Sequence, residues 1–225
     1  NTGSTGHSVA AAELTWALLL ASARQITAQN QSLKAGHWQM GVGQTIAGRT
    51  LGLYGYGRIG KAVARYAEAF GVKVVWWGSE DGRARAIADG QTVANSRAEF
   101  FANSDFVSLH LRLTAMSRGI ITAEDLGMMK PTASLINTSR AGLIAEGALL
   151  DALNAGRPSR AGIDVFEKEP LTDPDDPLVH HPGVTATPHI GYVTEDELDM
   201  QFADIYDQIN AFVAGEPIHL VNKLS

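Results

Sequence analysis

Arg140, Glu169 and His189 are the side chains of this sequence best suited to shared chemistry. Each follows an apolar run: Ala133 to Asn137, Arg160 to Val165, and Val184 to Ala186. An arginine grips a carboxylate through two parallel hydrogen bonds. A histidine gives or takes a proton near neutral pH. A glutamate beside it orients the imidazole and stabilises its charged form. Once a nicotinamide is supplied, the set describes hydride transfer between a 2-hydroxy acid and a 2-keto acid. Glu167 competes with Glu169 for His189, and only one of them can pair with it.

A place for a nicotinamide dinucleotide is written upstream. Gly55-Tyr56-Gly57-Arg58-Ile59-Gly60 lies between an apolar run ending at Tyr54 and an amphipathic run from Lys61. The first glycine permits the sharp turn, the second lets backbone approach a pyrophosphate, and the third allows close helix–strand packing. The phosphates would rest on the free N–H groups and positive dipole end of the following helix. The flanks support this. Thr50 to Tyr54 reads as a strand, and Ala62, Val63, Tyr66, Ala67 and Phe70 recur at helical spacing. Val72 to Trp77 reads as the next strand and completes a βαβ unit.

The remaining elements must carry these groups to one edge. Thr5 to Asn30 reads as a single long apolar helix capped by Ser8, which has to be buried in a core or against a second subunit. Lys34 to Gly48 reads as a loop with the His37-Trp38 pair. Short helices are expected over Arg83–Ala88 and from Ser96 to Phe101, and a strand over Ser104–Leu111 with Asp105 at its mouth. A helical turn ends at Pro131, Glu146–Asn154 is amphipathic, and Glu195–Ala214 is a final long helix closed by Gly215 and Pro217. Asp173 to Pro177 reads as a solvated turn. Strands alternating with helices from Leu51 onward predict an α/β fold with a doubly wound parallel sheet, Rossmann-type, flanked by long helices. In such sheets ligands bind outside the carboxyl ends of the strands, where all three chemical residues fall.

Composition narrows the function. The chain has 225 residues and a net charge of −6, with no basic cluster, so nucleic acid is not expected as a partner. There is no cysteine, which removes disulfide and thiol chemistry. No histidine and carboxylate pair has helical ligand spacing, so no metal site is expected. The apolar stretch Val9–Ala23 is interrupted by Glu13, is too short to span a bilayer, and lacks a preceding basic region. A cytoplasmic location is the default expectation.

Four segments in order resemble the D-isomer-specific 2-hydroxyacid dehydrogenases. They are Gly55–Gly60, Ile136–Arg140, Ala161–Pro170 and Thr187–Gly191, within a similarity running from about residue 8 to 222. The resemblance implies that Arg140 binds the substrate carboxylate and carbonyl, that Glu169 pairs with the histidine, and that His189 is the acid/base. It also implies that Asp164 faces the nicotinamide carboxamide. Arg58 and Ile59 would present backbone N–H groups to the pyrophosphate. Thr138, Ser139, His110 and Leu111 would lie along the cofactor, with Gly191 beside the histidine. The implied cofactor is NAD, with NADP open, and the implied substrate a small 2-keto or 2-hydroxy acid.

The departures are informative. The acid that holds the ribose in NAD-preferring members is replaced by Gly78, which makes no such contact. Ser79, Arg83 and Arg85 are placed to meet a 2′-phosphate instead, while Glu80 or Asp81 is placed to hold the ribose. Arg112 stands where the family often has proline, and Ala141 where glycine is common. Family members begin with a substrate lobe of about one hundred residues, a small domain, and this sequence starts near the first interdomain helix. Residues 1–193 are therefore expected to form the dinucleotide-binding domain, and 194–225 a helix and tail returning to that lobe. The first helix and the Trp38 loop resemble the segment with which family members embrace a second subunit, so a homodimer is expected. Two rival readings share the fold. One is a nicotinamide-sensing corepressor-like module. The other is a phosphite- or formate-type dehydrogenase, although formate enzymes usually place glutamine where Glu169 stands.

Overall fold

The computed structural model describes residues 9–220. Six parallel strands form one sheet: β1 (Thr50–Tyr54), β2 (Lys73–Trp77), β3 (Phe106–Leu109), β4 (Ser134–Asn137), β5 (Arg160–Ile163) and β6 (Val184–Ala186). Their order is β2-β1-β3-β4-β5-β6. The order reverses between β1 and β3, which is where an open parallel sheet leaves its ligand crevice.

Period-two alternation sends each strand's side chains to opposite faces. Leu51, Leu53, Phe106 and Ile136 join one core with Trp16, Leu19 and Val63, under the helices α1 (Val9–Arg24) and α3 (Arg58–Ala69). Val107, Leu109 and Leu135 join the other with Phe100, Phe101, Leu126 and Leu149, under α5 (Arg97–Asn103), α6 (Ala123–Met128) and α7 (Ala148–Asn154). The strands are short because both faces are covered, and their near-continuous apolar sequences follow from that. Ser96 caps α5 by accepting from Glu99 N, and Thr122 and Asp125 form a capping box on α6. α4 (Glu80–Ala88) starts three residues before the expected Arg83, and its cap is Ser79.

The expected single helix through Asn30 is instead two helices. α1 stops at Arg24, Gln25 turns into the left-handed region at φ 54°, and α2 covers Ile26–Lys34. Gln25 Nε2 donates to Val42 O at 3.1 Å, and Gln44 N donates to Ala23 O at 2.8 Å, so the following loop folds back over the break. Ser8, the expected cap, lies outside the described residues. The expected solvated turn at Asp173–Pro177 is present, with Pro174 and Asp175 in an exposed turn; a short helix, α8 (Pro177–His180), follows because Asp176 caps it and a proline suits its first position. The last helix, α9 (Glu195–Val213), buries none of its residues; Phe202, Ile205, Tyr206, Ile209 and Phe212 are all exposed along it. Among the described residues no helix is long and apolar enough to cross a membrane.

Candidate active site

The carboxyl ends of β1, β3 and β4 bound a crevice lined by Gly57, Arg58, Ile59, His110, Leu111, Arg112, Leu113 and Thr138–Arg140, with a volume of about 380 Å³. Gly55 makes the turn at φ 115°, and a Cβ there would stand 2.4 Å from His110 O, so the backbone of β3 closes against the loop only because the residue is glycine. Above Gly57 the space is open: an added Cβ meets nothing within 4 Å. The N-terminus of α3 has no side-chain cap, which leaves the first N–H groups of the helix unclaimed by a capping side chain. Open space over a glycine, uncapped N–H groups and a positive dipole end fit a dinucleotide pyrophosphate.

Three cations line this crevice and no carboxylate does. Arg58, Arg112 and Arg140 form no salt bridge among the described residues, in a chain with 24 acidic and only 18 basic side chains. Arg140 follows β4 in extended conformation and its Nη1 donates to Ser139 O at 2.5 Å. The loop beneath it is fixed by Asn137, 1% exposed, whose Oδ1 accepts from Ser139 N and whose Nδ2 donates to Arg140 O. Ser139 Oγ donates to Leu109 O at 2.6 Å, and Thr138 Oγ1 shares a 2.8 Å hydrogen bond with Thr15 Oγ1 of α1. Asn137 is a supporting residue that the motif contains and its chemistry explains: a short amide at a strand end folds the next turn around itself.

Two strands further along, His189 Nδ1 stands 2.6 Å from Glu169 Oε2. With Nδ1 taken, Nε2 is left as the ring atom able to exchange a proton. Glu167, the rival carboxylate, lines a separate apolar cavity instead. Burial tends to raise the Glu169 carboxyl. The Phe166 N–H donated to Oε1 at 2.9 Å, the His189 contact and the nearby Arg140 charge outweigh it, and the group is held below its ordinary value. The Arg140 contribution places that guanidinium within electrostatic reach of the pair.

His189 has φ 56°, a left-handed conformation uncommon for a residue with a side chain. Asp164 holds it there. Its carboxylate is fully buried and accepts from Thr187 Oγ1 at 2.6 Å, Ile190 N at 2.9 Å and Gly191 N at 2.9 Å. Asp164 thus lies under the His189 loop, with no exposed surface. Thr187 was given no role by the sequence, because a contact 23 residues away leaves no local pattern.

His110 is a half-buried neutral group whose Nδ1 is shut off from solvent. Its Nε2 pairs with Ser108 Oγ at 2.9 Å, its Nδ1 has no partner, and burial pushes its pKa down to about 4. Gly78 follows β2 at φ 152°, and Ser79 Oγ accepts from Gly82 N at 3.2 Å, capping α4 while its O–H stays free to donate.

The family profile described as the D-isomer specific 2-hydroxyacid dehydrogenase NAD binding domain matches residues 16–191. The chain is 36% identical over 227 residues to a glyoxylate reductase of Thermococcus litoralis, covering 95% of this chain and 67% of that one. It is 37% identical to a D-3-phosphoglycerate dehydrogenase of Methanocaldococcus jannaschii, covering 93% of this chain and 40% of the relative. Among solved structures, a D-3-phosphoglycerate dehydrogenase-like oxidoreductase of Ralstonia solanacearum superposes with a TM-score of 0.92 at 44% identity, covering 96% of this chain and 67% of that one. The chain thus spans between 40% and 67% of the length of these relatives.

Proposed function

Because the chain belongs to the D-isomer-specific 2-hydroxyacid dehydrogenases, we propose that it carries the nucleotide half of an enzyme that interconverts 2-keto acids and D-2-hydroxy acids. The observation that carries the reading is the 2.6 Å His189–Glu169 pair at the sheet edge that also holds Arg140 and the glycine turn. A bound nicotinamide dinucleotide supplies the hydride chemistry. The chain's own part is positioning and proton transfer. Arg140 grips the substrate carboxylate, supported from below by Asn137. Glu169 holds Nδ1, fixes the ring and stabilises the imidazolium. Nε2 then gives a proton to the substrate oxygen on reduction and takes it back on oxidation. Asp164 acts as a positioning residue for the loop that carries His189.

In this reading residues 1–193 are the dinucleotide-binding domain, and 194–225 return toward a substrate lobe. The exposed apolar stripe of α9 suits such a covering. α2 buries none of its residues, and Trp38 and Val42 are exposed beside it, which supports a homodimer through that arm. Glu169 argues against a formate enzyme, and the paired acid/base favours turnover over pure nicotinamide sensing.

Steady-state reduction of a panel of 2-keto acids, glyoxylate and hydroxypyruvate included, tests the proposal. His189→Ala should lower kcat by about 10²–10⁴, the usual contribution of a general acid, with dinucleotide affinity within about twofold. Unchanged turnover in that variant would remove His189 from the reaction.

A further inference from the structure

We infer that Arg83 reads the 2′-phosphate of NADP(H), making the phosphorylated dinucleotide the preferred cofactor; this rests on the dinucleotide reading above. The adenosine ribose belongs at the end of β2, beside the glycine turn. Gly55 N donates to Trp77 O at 2.8 Å, so the two segments abut. The residue that follows, Gly78, lies at φ 152°, a conformation that side-chain-bearing residues rarely adopt. A ribose-holding carboxylate at that position would need a different backbone.

The structure sorts the five polar groups that follow. Ser79 Oγ accepts from Gly82 N as the cap of α4, which leaves its O–H able to donate beside Arg83 but supplies no charge. Asp81 is taken by Arg85 at 3.0 Å, and Arg85 Nη1 also donates to Tyr56 O at 3.2 Å. Of the charged side chains Glu80 and Arg83 remain, and neither side chain has a hydrogen bond or ion pair among the described residues. They differ in how far they are held. Glu80 is exposed at the first position of α4. Arg83 is half-buried, with its guanidinium carbon 4.3 Å from the centroid of the Trp77 ring.

That stacking decides the matter. A guanidinium lying on an aromatic face keeps its N–H edge free in the ring plane and has already lost much of its rotamer freedom. The free edge matches a phosphate through two parallel hydrogen bonds. A ribose hydroxyl makes at most one neutral contact with it. The strand that ends at Trp77 therefore presents a fixed cation where NAD-preferring proteins present an anion.

Direct binding titrations of NADPH and NADH, on the native protein and on Arg83→Gln and Glu80→Gln, test this without relying on turnover. A charge-assisted contact of about 1.5–3 kcal/mol predicts NADPH tighter than NADH by about tenfold or more. Arg83→Gln, which keeps a polar stem over Trp77, should erase that preference and leave NADH within about twofold of native. NADH binding as tightly as NADPH overturns the inference. So does equal weakening of both by Arg83→Gln, which would assign Arg83 to the adenine ring they share. A selective loss of NADH in Glu80→Gln would give the ribose to Glu80 and overturn it as well. Failure of both dinucleotides to bind the folded native protein would overturn the dinucleotide reading itself, a separate result.

Discussion

The two edges of the sheet treat charge in opposite ways. At the amino-end edge, Asp105 accepts from Thr50 N at 2.9 Å and pairs with Lys130 at 2.9 Å and Arg49 at 3.5 Å. Every group in that cluster has a partner within the chain. At the carboxyl-end edge, Arg58, Arg112 and Arg140 line one crevice with no carboxylate among its walls. Three cations gathered around one crevice with no acid in its walls suit a ligand that brings negative charge, whereas the closed Asp105 cluster holds the fold together.

Three changes test the contrast, the largest first. Arg140→Gln should lower kcat/KM for keto acids by about 10²-fold, the worth of a charge-assisted carboxylate contact. It should leave the melting temperature nearly unchanged, and a large fall in Tm would give Arg140 a structural role instead. Asp105→Ala should do the reverse. Removing a partly buried carboxylate strands two cations and a backbone N–H, which costs about 2 kcal/mol and lowers Tm by roughly 4–8 °C. Dinucleotide binding should stay unchanged, and weakened binding would break the division between the edges.

The smallest effect belongs to His110, the neutral group on the charged edge. Its folded pKa of about 4 lies below the ordinary 6.5, so the unfolded chain binds the proton more readily. Stability is fully present above pH 6.5 and is lost as pH falls toward 4. Denaturant unfolding should show a loss of about 1–2 kcal/mol between pH 7 and pH 5 that His110→Asn removes. An identical pH slope in that variant would show that other groups set the acid response.

Most of the scaffold was legible because its signals are local. The glycine turn, the apolar strands and the Ser96 cap lie within a few residues of what they control, and the six parallel strands follow from them. The resemblance selected Glu169 over Glu167, and the structure pairs Glu169 with the imidazole. The misread parts depend on distance or on competing uses of one residue. No glycine or proline marks Gln25, whose left-handed turn is set by the loop at Val42. Asp164 bonds residues 23 to 27 positions away, so its task under His189, additional to the cofactor contact that the resemblance implies, has no periodic trace. Ser79 sits where a cofactor contact and a helix cap are both reasonable, and only geometry shows that it accepts from Gly82 as a cap. The exposed turn at Asp173–Pro177 was legible from its acids and prolines, whereas the short helix that follows it, signalled by Asp176-Pro177, was not read.

Helix α1 has a mechanical meaning. Thr15 bonds Thr138 in the crevice wall, while a Cβ on Gly191 would reach the Leu14 side chain at 3.7 Å, beside the loop that carries His189. One helix therefore bears on both halves of the site, so the anchor and the proton carrier share a common base, as two instruments share one optical rail.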